Sequence, residues 1–227
     1  MVIFGGPGGS MSVYTSQYSY FLQAYQQGQH GWPVEGASDP VVRFIREFSK
    51  ERPDARVLDL GCGEGRHALL FAENGFSSVG MDYQLLAIER ARKIARGRGI
   101  KSGLYFVGGD LFQLPFREGV FDVVLDYGCL HHVKKSDFDL YLQAILPVMR
   151  SRCYFLLSCF STRFRHHPGE KRTRDWLIHR GHYDRFFRKG DFRALFGRHF
   201  DIHSIVEERQ SLHAFFHVLM ERKVGHA

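Results

Sequence analysis

Residues 57 to 75 read VLDLGCGEGRHALLFAENG. An apolar run ends on an acid, glycines take alternate positions 61, 63 and 65, and an apolar-periodic stretch follows. This is a buried strand turning through a glycine loop into a helix, a loop that lets a nucleotide-like ligand approach the backbone. The rest of the chain must supply a sheet for that strand to join.

It does so by alternation. Arg56–Leu60, Ser77–Asp82, Leu104–Gly108, Phe121–Asp126 and Cys153–Ser158 read as strands. Helices fall between them at Arg66–Asn74, Leu85–Arg98 and Phe138–Met149, the first ended by Gly75 and the second near Gly97 and Gly99. Such alternation predicts a parallel sheet with helices on both faces. Ile202–Glu208 and Ala214–Glu221 lack a helix between them and are expected to pair as a hairpin. The expected class is therefore α/β: a three-layer sandwich around a mostly parallel seven-stranded sheet with a C-terminal antiparallel hairpin.

Before this alternation, residues 1–37 are expected to form a flexible leader, GGPGGS at 5–10, and a helix. Tyr14, Tyr18, Phe21 and Tyr25 recur at steps of four, three and four, on one helix face. The helix either docks by these aromatics or serves as a lid. GQHGWP breaks it; a second helix starts at Ser38 or Asp39 with Pro40 in its first turn and stops at Pro53. Residues 38–227 then form one domain.

Charge is concentrated. Residues 163 to 198 hold 11 Lys or Arg against 4 Asp or Glu, the whole of the net +7. This basic stretch overlaps an expected lid insertion at about residues 159–190. Its helix DFRALFG puts Phe192, Leu195 and Phe196 inward. Two partners fit its cations and aromatics: RNA, by phosphate tracking and base stacking, or an acidic small molecule. The lack of a separate RNA-binding domain favours the small molecule. Four cysteines show no metal-ligand spacing and read as free thiols, with Cys153 and Cys159 in the core. No apolar run suits a membrane span or a secretory signal, so a cytoplasmic location without membrane attachment is expected.

The loop's spacing narrows its ligand. Gly61-Cys62-Gly63-Glu64-Gly65-Arg66 brings the third glycine one residue early for a dinucleotide fingerprint, and Glu64 sits where a pyrophosphate would lie. No Lys-Ser or Lys-Thr follows, which excludes a P-loop. An acid-rich loop suits a cationic ligand without phosphate, such as S-adenosylmethionine.

Four marks in order, VLDLGCGEG, MDYQ, GGDLFQLPF and FDVVLDYGCLHHV, resemble the class I S-adenosylmethionine-dependent methyltransferase family over roughly residues 55 to 160. The resemblance implies a donor site made by Asp59, Gly61, Cys62, Gly63 and Gly65. Asp82 and Tyr83 would meet the ribose, and Asp110 and the Leu111 backbone the adenine. Asp126 would lie at the methionine end or against a substrate amine. His132, Asp126 and Tyr183 are the candidate catalytic residues, and Tyr18, Trp32, His131 and His182 the candidate substrate contacts. No metal is expected. Asp126-Tyr127-Gly128-Cys129 replaces the Asn-Pro-Pro-Tyr-like tetrapeptide of enzymes that methylate adenine or glutamine nitrogens, which counts against such targets. The aromatic first helix, GQHGWP and HYDRFFRKGDFRALF are similar in layout to the thiopurine and tellurite-resistance branch. The expected reaction is in-line methyl transfer to a small molecule. RNA methylation, a nicotinamide-dependent oxidoreductase and an inactive donor-binding sensor are the alternatives.

Overall fold

The computed structural model describes residues 11–28, 32, 36, 38–52 and 54–224. The GGPGGS leader and the Pro53 stop lie outside the described residues, as do positions 29–31 and 33 of GQHGWP.

Seven strands form one sheet in the order β3-β2-β1-β4-β5-β9-β8. They are β1 (Arg56–Leu60), β2 (Ser77–Asp82), β3 (Leu104–Gly108), β4 (Phe121–Tyr127), β5 (Met149–Phe160), β8 (Phe200–Gln210) and β9 (His213–Arg222). β1 to β5 run parallel; β9 inserts antiparallel between β5 and β8. The C-terminal hairpin is thus present, and its second strand is the inner one. The chain leaves β1 toward β2 and β3, then returns to the other side of β1 with β4. This reversal makes the carboxyl ends of β1 and β4 the expected ligand crevice.

Side-chain alternation along the inner strands builds two cores. Val57 of β1 and Val123 and Leu125 of β4 face α2 (Asp39–Phe48) and α3 (Arg66–Glu73), meeting Val41, Phe44, Ile45, Phe48 and Phe71. Leu58, Leu60, Phe121 and Val124 belong to the opposite core with Tyr141 and Ile145 of α5 (Phe138–Val148) and Phe192 and Phe196 of α6 (Lys189–Phe196). α4 (Leu85–Gly97) packs Ile88, Ala91 and Ala95 with Phe106 of β3. Cys153 and Cys159 are buried, as expected. Three layers result, as the strand–helix alternation implies.

Two differences from the expected layout matter. β5 runs for 12 residues rather than six, carrying Phe160 beyond its last pairing with β4 while it still pairs with Phe215 of β9. The basic stretch contains an unexpected antiparallel pair, β6 (Trp176–His179) and β7 (His182–Arg185). Its turn is Arg180-Gly181, both at positive φ (50° and 87°), the backbone of a two-residue hairpin.

The cations of this stretch mostly bind protein. The Arg172 guanidinium lies 3.3 Å from the Phe186 ring centroid, and Arg185 4.6 Å from that of Phe187. Arg163 pairs with Glu207 at 2.5 Å, and Arg165 donates to the Thr162 and Phe164 carbonyls. These contacts occupy part of the cationic surface that the sequence offers to a phosphate backbone.

Phe192 is wholly buried between Phe187 and Phe216, with ring centroids at 5.7 and 5.3 Å. Phe192→Ala should cost about 3–5 kcal/mol of unfolding free energy. Urea denaturation checks this; an unchanged midpoint would detach α6 from the core.

Candidate functional site

Two carboxylates hold the glycine loop. Asp59 at the end of β1 accepts the Ala68 N–H at 3.1 Å, anchoring the first turn of α3. Asp82 at the end of β2 accepts the Gly63 N–H at 2.9 Å through Oδ2 and the Gln84 N–H at 2.8 Å through Oδ1. Cys62 N–H adds a bond to the Met81 carbonyl at 2.9 Å, so the loop is fastened to β2 on both sides of its turn. Burial pushes Asp59 up to about 7 and Asp82 up to about 6, against the pull of those N–H groups. The loop is an anionic floor short of cations.

The glycines have different reasons. A Cβ on Gly61 would fall 2.0 Å from Cys129 Sγ, and one on Gly65 2.6 Å from the Phe106 ring. Only at Gly63 does the added carbon meet a group on the cavity wall opposite, the Tyr25 hydroxyl at 2.9 Å. Two of the three glycines therefore serve protein packing first, not only ligand approach.

A single cavity of about 1130 Å³ extends from this loop to the β6–β7 hairpin. Asp59, Gly61, Cys62, Gly63, Asp82, Tyr83, Asp110 and Leu111 line one end; Trp32, His131, His132 and His182 line the rest. Asp110 holds its turn by accepting the Phe112 N–H at 2.9 Å through Oδ1.

Four expected site residues lie off the wall. Gly65 caps α3 and packs on Phe106. Asp126 has no exposed surface: it accepts the Tyr141 hydroxyl at 2.8 Å and the N–H groups of Cys129 and Leu130. Its carboxylate organises the loop after β4, and we drop it as a base or donor contact. Tyr18 turns its ring onto Tyr83 at 5.4 Å, and Tyr183 stacks on Trp176 at 5.7 Å. These two support the wall from behind.

Other residues join the cavity, some of them on the aromatic helix face that the sequence marks. α1 (Met11–Gln27) lays Tyr14, Gln17, Tyr20, Phe21 and Tyr25 across it. Tyr14 bonds Asp137 at 2.7 Å, Gln84 donates to the Tyr18 carbonyl at 2.7 Å, and Arg90 to that of Tyr25 at 2.7 Å, which fastens the helix in place. Phe160, Phe164 and Phe215 add an aromatic wall beyond β5. His67, His131, His132, His166, His179, His182, His213 and His217 all line the cavity, eight of the chain's 13 histidines. His131 stacks face to face on Phe160 at 3.6 Å, and burial drives its ring well below the ordinary histidine value, so it is neutral. Burial likewise lowers His182, against the attraction of Asp184.

Asp184 of β7 is fully buried among His132, His166 and His182, each within 3.1 Å of a carboxylate oxygen. Burial alone would raise its carboxyl, but the three imidazoles outweigh it and hold the group well below the carboxylate range.

Comparison with known proteins agrees with this geometry. Residues 51–193 match the family model described as a methyltransferase domain. An uncharacterized methyltransferase of Schizosaccharomyces pombe is 34% identical over 120 residues, 51% of this chain and 81% of that protein. The 2-heptyl-1-hydroxyquinolin-4(1H)-one methyltransferase of Mycobacteroides abscessus is 31% identical over 57% of this chain and 55% of its own. The solved Burkholderia thailandensis 1,6-didemethyltoxoflavin-N1-methyltransferase, with its substrate and S-adenosylhomocysteine bound, superposes with a TM-score of 0.77 at 24% identity, over 99% of this chain and 94% of its own. An anionic glycine loop at the switch point of this sheet, together with the family match, means that the chain belongs to the methyltransferase-domain family and is an S-adenosylmethionine-dependent enzyme.

Proposed function

We propose that the acceptor is a small, planar, aromatic or heteroaromatic molecule, methylated in the chamber between α1, β5 and the β6–β7 hairpin. One observation carries this reading: the cavity continues past the glycine loop into a compartment walled by Tyr20, Phe21, Phe160, Phe164 and Phe215. Flat apolar rings select flat ligands by stacking and burial. Two relatives are named for heteroaromatic acceptors, a hydroxyquinolone and a didemethyltoxoflavin. The thiopurine and tellurite-resistance likeness rests on layout alone and adds nothing to the choice. An acidic acceptor has little to meet, since Arg66 and Arg180 are the only cations on the wall among the described residues.

The donor half follows from the loop. Asp82 has both oxygens on backbone N–H groups, and each oxygen keeps a lone pair for a ribose hydroxyl. Asp110 and the Leu111 backbone take the adenine edge, and Asp59 with the Gly61–Gly63 backbone takes the amino-acid end. The donor supplies a methyl group on a positive sulfur. The protein positions it against the acceptor and keeps water out, an orientation effect of about 7–11 kcal/mol at most. In this reading α1 and the segment at 159–190 are two lids over one site. No helix among the described residues is long and apolar enough to cross a membrane, and the four free thiols fit a reducing, cytoplasmic setting.

A labelled-methyl assay against a metabolite extract tests the acceptor class. Label appearing in flat aromatic products supports the reading; label confined to RNA or protein overturns it. Asp82→Ala should weaken S-adenosylhomocysteine binding by at least ~1.5–3 kcal/mol, because the Gly63 N–H loses its partner along with the ribose. Calorimetry showing wild-type affinity would reassign the acid.

The raised carboxyls give a pH signature. Asp59 at about 7 and Asp82 at about 6 lie above their unfolded values, so their contribution to stability is full below the unfolded carboxylate range and is lost as pH rises through 6 and 7. A cationic donor favours the ionised forms. S-adenosylmethionine should therefore bind more tightly at pH 8 than at pH 5.5 and release protons on binding near pH 6. Calorimetric heats at pH 6 that do not vary with buffer ionisation enthalpy would contradict this.

A further inference from the structure

The three histidines around Asp184 come from separate parts of the chain. His132 lies in the short 3-10 turn after β4, His166 in the loop after β5, and His182 at the start of β7. His166 Nε2 hydrogen-bonds Asp184 Oδ2 at 3.0 Å, and His182 Nε2 lies 3.1 Å from the same oxygen. His132 Nδ1 lies 3.1 Å from Oδ1, outside hydrogen-bond direction, because its directed bond runs to the Tyr183 carbonyl, also at 3.1 Å.

Those two neighbours decide the tautomer. A carbonyl and a carboxylate only accept, so His132 Nδ1 carries the hydrogen and the lone pair stays on Nε2. His132 borders the cavity, and no hydrogen bond occupies its Nε2 among the described residues. Phe21 from α1 meets the ring edge-on at 5.1 Å, and Gln17 donates to the His132 carbonyl at 3.3 Å. The ring is thus fixed in orientation as well as in protonation.

A divalent ion is the competing occupant. The ligand atoms of His132, His182 and Asp184 lie within 4.8 Å of one another. An ion there would need the Nδ1 lone pair of His132 and would leave the Tyr183 carbonyl facing a bare nitrogen. Ligating imidazoles usually anchor their second ring nitrogen, yet His182 Nδ1 is buried with no hydrogen bond. The geometry favours a proton over a metal.

We infer that Asp184 is a positioning residue that holds His132 with its Nε2 lone pair available to the cavity, and that His132 is the base for an acceptor carrying a phenol-type O–H or a heteroaromatic ring N–H. This rests on the aromatic-acceptor reading above and deepens it. The acceptor's proton passes to Nε2, and the electron pair left on its oxygen or nitrogen forms the new bond to the methyl carbon. The carbon–sulfur bond breaks with its pair going to sulfur, leaving a neutral thioether. The Asp184 carboxylate faces the resulting imidazolium, which loses its proton to solvent after product departs. The other titratable groups around that ring are His131, 4.3 Å away by ring centroid, His182 at 5.4 Å, and His166 across Asp184. A second imidazolium would be repelled there, so one proton at a time is held.

Two variants, Asp184→Asn and His132→Gln, test this. Two-bond 1H–15N spectra of histidine-labelled protein should show His132 in the Nδ1–H form, and a tautomer mixture in Asp184→Asn. Both variants should bind S-adenosylhomocysteine like wild type, which certifies the fold and the donor site. Label transfer into the metabolite extract should fall about 100-fold at neutral pH and recover as pH rises and the acceptor ionises unaided. A purely structural role would give no such recovery. An Nε2–H tautomer, stoichiometric Zn²⁺ binding that Asp184→Asn abolishes, or wild-type transfer rates in both variants would overturn the proposal. Wild-type protein that moves no label would instead sink the acceptor reading, and the tautomer spectra would still judge Asp184.

Discussion

The Asp82 carboxylate between the Gly63 and Gln84 N–H groups is the contact on which the rest of the site depends. It joins the end of β2 to the turn after β1, and so sets the distance between the two halves of the donor floor. Asp59 does the same for α3. Both are buried acids, costly to ionise in the absence of a cation. The same feature suits the loop to a positively charged donor.

Above this floor the cavity changes character. The glycine loop end is acidic, whereas the far chamber is built of aromatic rings and imidazoles. His131 illustrates the change: stacked on Phe160 and desolvated, it behaves as a flat apolar wall element more than as a titrating group. Asp184 is the exception inside the chamber, a permanent negative charge that orders three histidines around itself. On the proposed function, one end meets the fixed charge of the donor and the other the proton of the acceptor.

The basic stretch shows why net charge is a poor guide to partners here. Residues 163 to 198 carry the whole charge excess. Yet Arg172 and Arg185 lie over phenylalanine rings, and Arg163 and Arg165 close turns and ion pairs. Arginine's flat, weakly hydrated guanidinium stacks and bonds carbonyls within a protein as readily as it meets phosphate. Composition counts the charges, but only packing shows which of them already have partners within the protein.

Local signals read well wherever one residue type has one physical use. Short apolar runs placed β1 and β4, because a strand between two helical layers is apolar on both faces. The glycine spacing and the acids ending β1 and β2 marked the loop that the structure places at the reversal of strand order. The β6–β7 hairpin was missed because cations and histidines mask its alternation, leaving only Gly181 as a marker. Asp126 looked like a site residue by position, and three-dimensional packing turned it inward onto Tyr141. What sequence alone determined is the sheet and its glycine loop, both made by segments adjacent along the chain. What only tertiary structure decided is the chamber of aromatic rings and histidines. Its residues come from α1, the turn after β4, the extension of β5 and β7, and no local pattern encodes which distant side chains meet around a buried carboxylate.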